Sequence, residues 1–331
     1  MVGEGKIVKN SLGENCYLLA VCCIQLPEND SHFMISLKVS VRNFANKYKG
    51  EQLKIMFCYN GKEISEESLA KKSHAFTEFF GVTTIVRQST PFNLSIARNV
   101  ALWEDSSSWI VYVDDDIIFD AGFLEATLDI LKITDGSDTP IVGGKILLKS
   151  EVPLNTVQRL YLSELNLGKR SHKLSTEFVN GANFCLNAEW GRKIGGFNPS
   201  LGRQDGSLLS GEESELILLA RKEGKGVFYN ADAIVTQIIG QTRTSRSWLA
   251  KRAAWEAVTK ISLSSGKDEV VAPSSFIEPE FDVISDIEQD FLHLLLFGKV
   301  RPTSILISKK RWNFLKEFRG VIKQVIVWIR G

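Results

Sequence analysis

The sequence predicts an α/β protein built on a doubly wound, mostly parallel, Rossmann-like sheet. Three observations lead there. Strand-like and helix-like patterns alternate four times within the first 131 residues, the order expected of a parallel sheet with crossover helices. The strand-like runs are apolar on both faces, as strands covered on two sides must be. Turn residues and carboxylates follow the strand ends, the edge at which open α/β sheets bind ligands.

The elements follow in order. CYLLAVCCIQL (16–26), closed by Pro27, reads as a buried strand. Apolar residues at 33, 37, 41, 44 and 48 give helical spacing over 32–48. LKIMFCY (53–59) is a second strand closed by the turn pair Asn60-Gly61, and 65–80 is a second helix with Ser65 as its cap. VTTIVRQ (82–88) is a third strand, followed by a short helix over 94–103. WIVYVDD (109–115) is the clearest strand, and a helix follows over 121–131. Right-handed crossovers put these strand ends on one edge. Asn60, the 91–93 segment and Asp114 to Asp116 therefore meet there.

After Pro140 the alternation loosens. IVGGKILL (141–148) is strand-like, 151–173 is mixed, and FVNGANFCLN (178–187) is a strand pair or one bent strand around Asn180-Gly181. A helical 189–193 stops at Gly195-Gly196, and a polar, glycine-rich loop leads into a helix over 212–222. GVFYNADAIVTQII (226–239) reads as extended chain, and 246–261 is amphipathic and basic at its start.

The net charge of +1 conceals two opposed blocks. Eight acidic residues stand against one lysine in 267–290, and eight basic residues against one Glu in 301–331. The first block reads as a linker or wrapped segment over 266–300, the second as a basic amphipathic helix over 301–331. That helix either lies at a membrane surface or docks on the main domain, and the pattern allows both. No general nucleic-acid footprint is present. Cys16, Cys22, Cys23, Cys58 and Cys185 show no C-x-x-C spacing and read as reduced, mostly buried thiols. That usage, with no apolar leader and no run near the ~20 apolar residues of a membrane span, suggests a cytoplasmic protein.

VYVDDDIIF carries the chemistry. Three successive carboxylates at the end of a buried strand repel one another and are costly to desolvate. Mn2+ or Mg2+ removes that conflict and keeps positions open for phosphate. An isolated acidic triplet would read as a solvated turn capping the next helix. Its place directly after WIVYV favours a metal–diphosphate site. Glu212 and Glu213 open a helix, where a carboxylate gains ~0.3–1 kcal/mol from the dipole; the same place suits a proton acceptor. Arg243, Arg246, Lys251 and Arg252 form either a solvated helix face or a clamp on a diphosphate or an anionic acceptor. Trp248 and Trp255 belong to the core or to an acceptor wall. His32, His74, His172 and His293 have no ligand spacing.

Four segments, in one order, resemble the A-type glycosyltransferase fold and most closely its family 2 of inverting enzymes. They are PFNLSIARNVAL (91–102), VDDDI (113–117), NGANFCLNAEWGRKIGGFNPSL (180–201) and GEESELILLARKEGKGVFYNADAIV (211–235), within a resemblance covering roughly 16–260. The resemblance implies a catalytic domain over 1–265, with a nucleotide-binding half near 16–131 and an acceptor-binding half near 140–265. It implies transfer of a sugar from a nucleotide-sugar donor to a glycan or lipid-linked acceptor, assisted by Mn2+ or Mg2+. Donor contacts fall to Asn60, Arg98, Asn99, Asp114 and Asp115, and the metal to Asp116, Asp114 and Gln237. Glu213 is the implied base with Glu212 beside it, and Asn180, Gly181, Asn183 and Arg243 face the acceptor.

The chain departs from the family pattern in three places. The second strand ends in Asn60-Gly61 rather than an acidic turn, which leaves nucleotide choice open. The catalytic pair is Glu-Glu rather than Glu-Asp. Gln237 replaces a metal-holding His, which predicts looser metal binding. The alternatives are a non-catalytic nucleotide-sugar-binding or scaffold protein and, with no glycine-rich activation loop to support it, a nucleotidyltransferase.

Overall fold

A computed structural model describes residues 16–263, apart from 155, 204–206, 246–247, 250, 253–254, 257–258 and 260–262. The acidic segment 266–300 and the basic helix expected over 301–331 lie outside the described residues. Strands β1 (Cys16–Cys23), β2 (Gln52–Tyr59), β3 (Thr84–Gln88) and β4 (Trp109–Asp114) run parallel in the spatial order β3-β2-β1-β4. The order reverses beside β1, which makes the gap between the ends of β1 and β4 a topological switch point, the place where open α/β sheets commonly bind ligands. Register keeps those ends level: Cys22 aligns with Cys58 on one side and with Asp114 on the other.

The crossover helices are α1 (His32–Lys47), α2 (Glu66–Phe80) and α3 (Leu94–Glu104). Each begins on a side-chain cap. Ser31, Ser65 and Asn93 accept the backbone N–H groups of Met34, Ser68 and Ile96. α1 turns Phe33, Leu37, Val41 and Phe44 into the core, at the spacing its sequence predicts. α2 stops at Gly81, whose φ of 73° suits a residue without Cβ. Leu18, Leu19, Ala20 and Val21 of β1 are fully buried between the helical layers.

The second half of the sheet is mixed. β8 (Asn183–Asn187) lies antiparallel to both β4 and β6 (Ile141–Ser150), while β9 (Val227–Ile239) runs parallel to β6. β5 (Ile117–Phe119) and β7 (His172–Leu174) both pair antiparallel with β9. Further helices are α4 (Phe123–Ile133), α5 (Thr156–Tyr161), α6 (Ala188–Lys193) and α7 (Glu212–Lys222).

Several expectations need revision. β5 is not visible in the sequence pattern, because three residues are too few for a periodicity to be read. The helix-capping turn, the alternative that an isolated acidic triplet would have allowed, is not formed at α4. That helix starts at Phe123 after Gly122, with no side-chain cap, and β5 separates it from the aspartates. Only 183–187 of the 178–187 segment is strand. Asn183 N–H bonds the Asn180 carbonyl, so 180–183 is a turn. The mixed stretch resolves into α5 and β7. All five cysteines are free; Cys16 is half-buried and the others are buried. Among the described residues, no helix is long and apolar enough to cross a membrane.

Candidate active site

The sheet brings the acidic triplet against the end of β9. The Asp116 carbonyl accepts Ile238 N–H at 2.8 Å, and Ile117 aligns with Gln237. That pairing sets Gln237 beside Asp116. Its Nε2 donates to both carboxylate oxygens, at 3.0 and 3.1 Å. β9 ends in a single 3-10 turn, Gln241–Thr244, which carries Arg243. Arg243 Nη1 donates to Asp116 Oδ2 at 2.6 Å, and its guanidinium lies 5.5 Å from the Trp248 ring centre.

The facing wall is built on Arg98 of α3, only 2% exposed. Its Nη1 donates to Glu212 Oε1 at 2.7 Å and lies 3.6 Å from Glu213 Oε2, while Nη2 is 3.8 Å from Asp114 Oδ1. Tyr112, fully buried on β4, fixes the helix by donating its hydroxyl to the Arg98 carbonyl at 3.1 Å. Burial opposes the Arg98 charge, but Glu213, Glu212 and Asp114 outweigh it and keep the guanidinium protonated.

α7 delivers its two leading glutamates from Gly211, whose φ of 104° is the left-handed region glycine tolerates. Glu213 Oε1 accepts Gly181 N–H at 2.8 Å. A Cβ on Gly181 would stand 2.0 Å from Arg98 Nη2 and 2.7 Å from Glu213 Oε1, so only bare backbone reaches this place. The second oxygens of Glu212 and Glu213 are buried without a hydrogen-bond partner among the described residues. Burial, and Glu213 beside it, push the Glu212 carboxyl up to about 7 against the pull of Arg98. Asp115 is also pushed up to about 7, by burial and then by Asp114 and Asp116. Burial likewise raises Asp114, with Arg98 opposing.

Asn60, Arg98, Asp114, Asp115, Asp116, Asn180, Glu212, Glu213, Gln237 and Arg243 line one cleft. Three amides expected to meet ligands are instead engaged in the frame. Asn60 Nδ2 donates to the Ser89 carbonyl, Ser89 Oγ and the Pro91 carbonyl, and its Oδ1 accepts Asn93 N–H at 2.7 Å. It ties the β3–α3 loop to the end of β2. Asn99 pairs with the backbone of Phe197 in both directions, at 2.7 and 2.8 Å. Asn183 is fully buried and donates to the carbonyls of Lys145 and Ala233. Arg98 donates one hydrogen bond, to Glu212, with Glu213 and Asp114 at 3.6 and 3.8 Å, so its guanidinium faces carboxylates.

The cleft also holds Arg203, Ser163 and Ser210, which the sequence does not single out. Arg203 stands alone in a polar loop, with no spacing to mark it. Ser163 has a φ of 66°, uncommon for a residue other than glycine, and no sequence signal announces that.

Asp114, Asp116 and Gln237 are the residues expected to hold Mn2+ or Mg2+. As arranged they do not form a cation site. Both oxygens of Asp116 already accept hydrogen bonds, and Gln237 turns its N–H, not its amide oxygen, to the carboxylate. Among the described residues no group of three His, Cys, Asp or Glu side chains is disposed to hold a metal.

No family model and no curated protein matches the sequence. Among solved structures the chain is similar to the mannosyltransferase PcManGT from Pyrobaculum calidifontis, in complex with GDP-Man and Mn2+. The TM-score is 0.54 at 11% identity, over 95% of this chain and 88% of that one. It is also similar to GalNAc-T7 with UDP, GalNAc and Mn2+, with a TM-score of 0.48 at 11% identity over 86% of this chain. The chain spans 56% of that protein's length. A mycobacterial protein gives a TM-score of 0.42 at 15% identity, over 78% of this chain and 77% of that one. The last two likenesses are too weak to weigh, and the first speaks to fold and nothing more. With the sheet order reversing beside β1 and the acidic edge at that reversal, the chain has the A-type glycosyltransferase fold.

Proposed function

We propose that this chain is a glycosyltransferase that moves a sugar from a nucleotide-sugar donor to a hydroxyl group of a glycan or lipid-linked acceptor, with inversion at the anomeric carbon. One observation carries the reading: the strand-end carboxylates Asp114 to Asp116 and the helix-start pair Glu212–Glu213 face a single cleft, with Arg98 between them. The mannosyltransferase of similar fold was solved with GDP-Man and Mn2+; a donor of that class is the ligand proposed here for the cleft.

The residues have distinct parts in that reaction. The acceptor oxygen forms a bond to the anomeric carbon while the bond from that carbon to the diphosphate oxygen breaks. The electron pair leaves with the nucleoside diphosphate, and the hydroxyl proton passes to a carboxylate. Glu213 is that carboxylate. It lines the cleft, Gly181 N–H fixes one of its oxygens, and the other has no hydrogen-bond donor among the described residues. Glu212 holds Arg98 and is a positioning residue. Asp114 and Asp115 border the donor side at the switch point, and Asn180 and Gly181 border the acceptor side. In the neighbouring mannosyltransferase the ion present is Mn2+; here Asp116 is held by Gln237 and Arg243.

Glu213→Gln keeps the size of the side chain and removes its proton affinity. Transfer should fall roughly 10²–10⁴-fold while nucleotide-sugar binding, measured by calorimetry, is kept. Full transfer activity in this variant overturns the assignment of the base.

A further inference from the structure

We propose that Arg243 is the cation of the donor site, so that this chain binds and uses its nucleotide diphosphate without a divalent metal. The inference rests on the glycosyl-transfer reading and deepens it. The acidic triplet invites a metal, but Gln237 and Arg243 already engage Asp116.

Asp116 is satisfied from two sides. The backbone pairing of β5 with β9 fixes Gln237 against both of its oxygens, and Arg243 Nη1 adds a charged contact at 2.6 Å. A metal entering there would displace a guanidinium and require the Gln237 amide to turn over, in exchange for a neutral amide oxygen as its third ligand. Arg243 supplies the positive charge without either change.

Its placement is prepared. The Arg243 backbone N–H bonds the Gly240 carbonyl at 3.0 Å, which closes the turn directly after β9, and Trp248 lies under the guanidinium. The side chain is 20% exposed, so it borders the cleft rather than the core. With Nη1 held by Asp116, the planar group still carries further N–H donors, and a guanidinium fork matches phosphate oxygens. Arg203 and Arg252 line the same cleft. Arg252 is oriented by Ser210 and Glu256, at 3.1 and 2.8 Å. The leaving diphosphate would then meet fixed guanidinium charge, which requires no ion to be recruited.

The test uses the full chain, stripped with EDTA, titrated with UDP and with GDP in EDTA and again in Mn2+. Binding of free Mn2+ to the protein alone is read by electron paramagnetic resonance. Wild type should bind one of the nucleotides with the same affinity, within about twofold, in both buffers, and should not take up Mn2+ by itself. Arg243→Gln should weaken nucleotide binding in EDTA by roughly tenfold or more, the size of one charged contact. Mn2+ should restore it, because Asp116 then keeps only the neutral Gln237 amide, which can turn its oxygen to the metal. Arg243→Lys, which keeps the charge but loses the fork, should fall between the two. Nucleotide binding by wild type only when Mn2+ is present overturns the inference and leaves the glycosyl-transfer reading standing. No nucleotide binding in either buffer overturns both.

Discussion

Arg98 and Glu212 lie 114 positions apart in the chain and form an ion pair at 2.7 Å in which each side chain is only 3% exposed. This pair joins α3 to α7, the helix that carries the proposed base. Breaking one member of such a pair leaves an uncompensated buried charge, which costs about 3–5 kcal/mol. Arg98→Met should lose stability of that order in urea unfolding. The double variant Arg98→Met, Glu212→Leu should recover part of it, while transfer stays impaired because Glu213 and Asp114 lose their common partner. A double variant no more stable than the single one would show that the buried charge is not what Arg98 and Glu212 neutralise in each other.

Gly181 reports on the same network by shape. An added Cβ meets Arg98 Nη2 at 2.0 Å and Glu213 Oε1 at 2.7 Å. Arg98 is pinned and cannot retreat far, so Gly181→Ala should displace the glutamate. A displacement near 1 Å costs roughly 10²-fold in rate. The variant should lose transfer by about that factor with a smaller effect on thermal stability. Unchanged kinetics would show that Glu213 does not need the bare backbone at 181.

The raised carboxyl of Glu212 has a consequence for stability. Its folded value of about 7 lies above the ordinary 4.5 because of burial, then the neighbouring Glu213, with Arg98 and Arg203 opposing. The folded chain therefore holds a proton on Glu212 that the unfolded chain releases between these values. The destabilisation is absent at lower pH, grows as pH rises from about 4.5 to about 7, and is constant above that window. Melting temperature should fall less across this window in Glu212→Gln than in wild type. Parallel melting curves would contradict the burial of this carboxyl.

How much of the fold and the cleft is legible in the sequence varies by residue. The β1–α1 to β4 half follows from its apolar runs, from the cap at Ser65 and from the strand WIVYV. Both faces of those strands are covered, so the apolar pattern reports burial directly. The cleft carboxylates are legible too, because a buried strand rarely ends in three charges unless its end faces a polar ligand or solvent. Asn60, Asn99 and Asn183 mislead for a shared reason. An amide clamps backbone as well as it holds a ligand, and the partners of these three lie far away in the chain, from 29 positions for Asn60 and Ser89 to 98 for Asn99 and Phe197. β5 and the left-handed Ser163 are set by tertiary pairing, to which a short window of sequence is blind. The Arg243–Asp116 contact spans 127 positions. The basic cluster hints at it but does not assign it a partner.

Every role proposed for these side chains requires that the cleft take a nucleotide-sugar. Calorimetric titration of the full chain with a panel of UDP- and GDP-linked sugars, in EDTA and in Mn2+, measures this without any assumption about the acceptor. Saturable binding of at least one donor is expected, and Asp114→Asn should weaken it. Absence of binding for every donor in both buffers would contradict the glycosyltransferase reading.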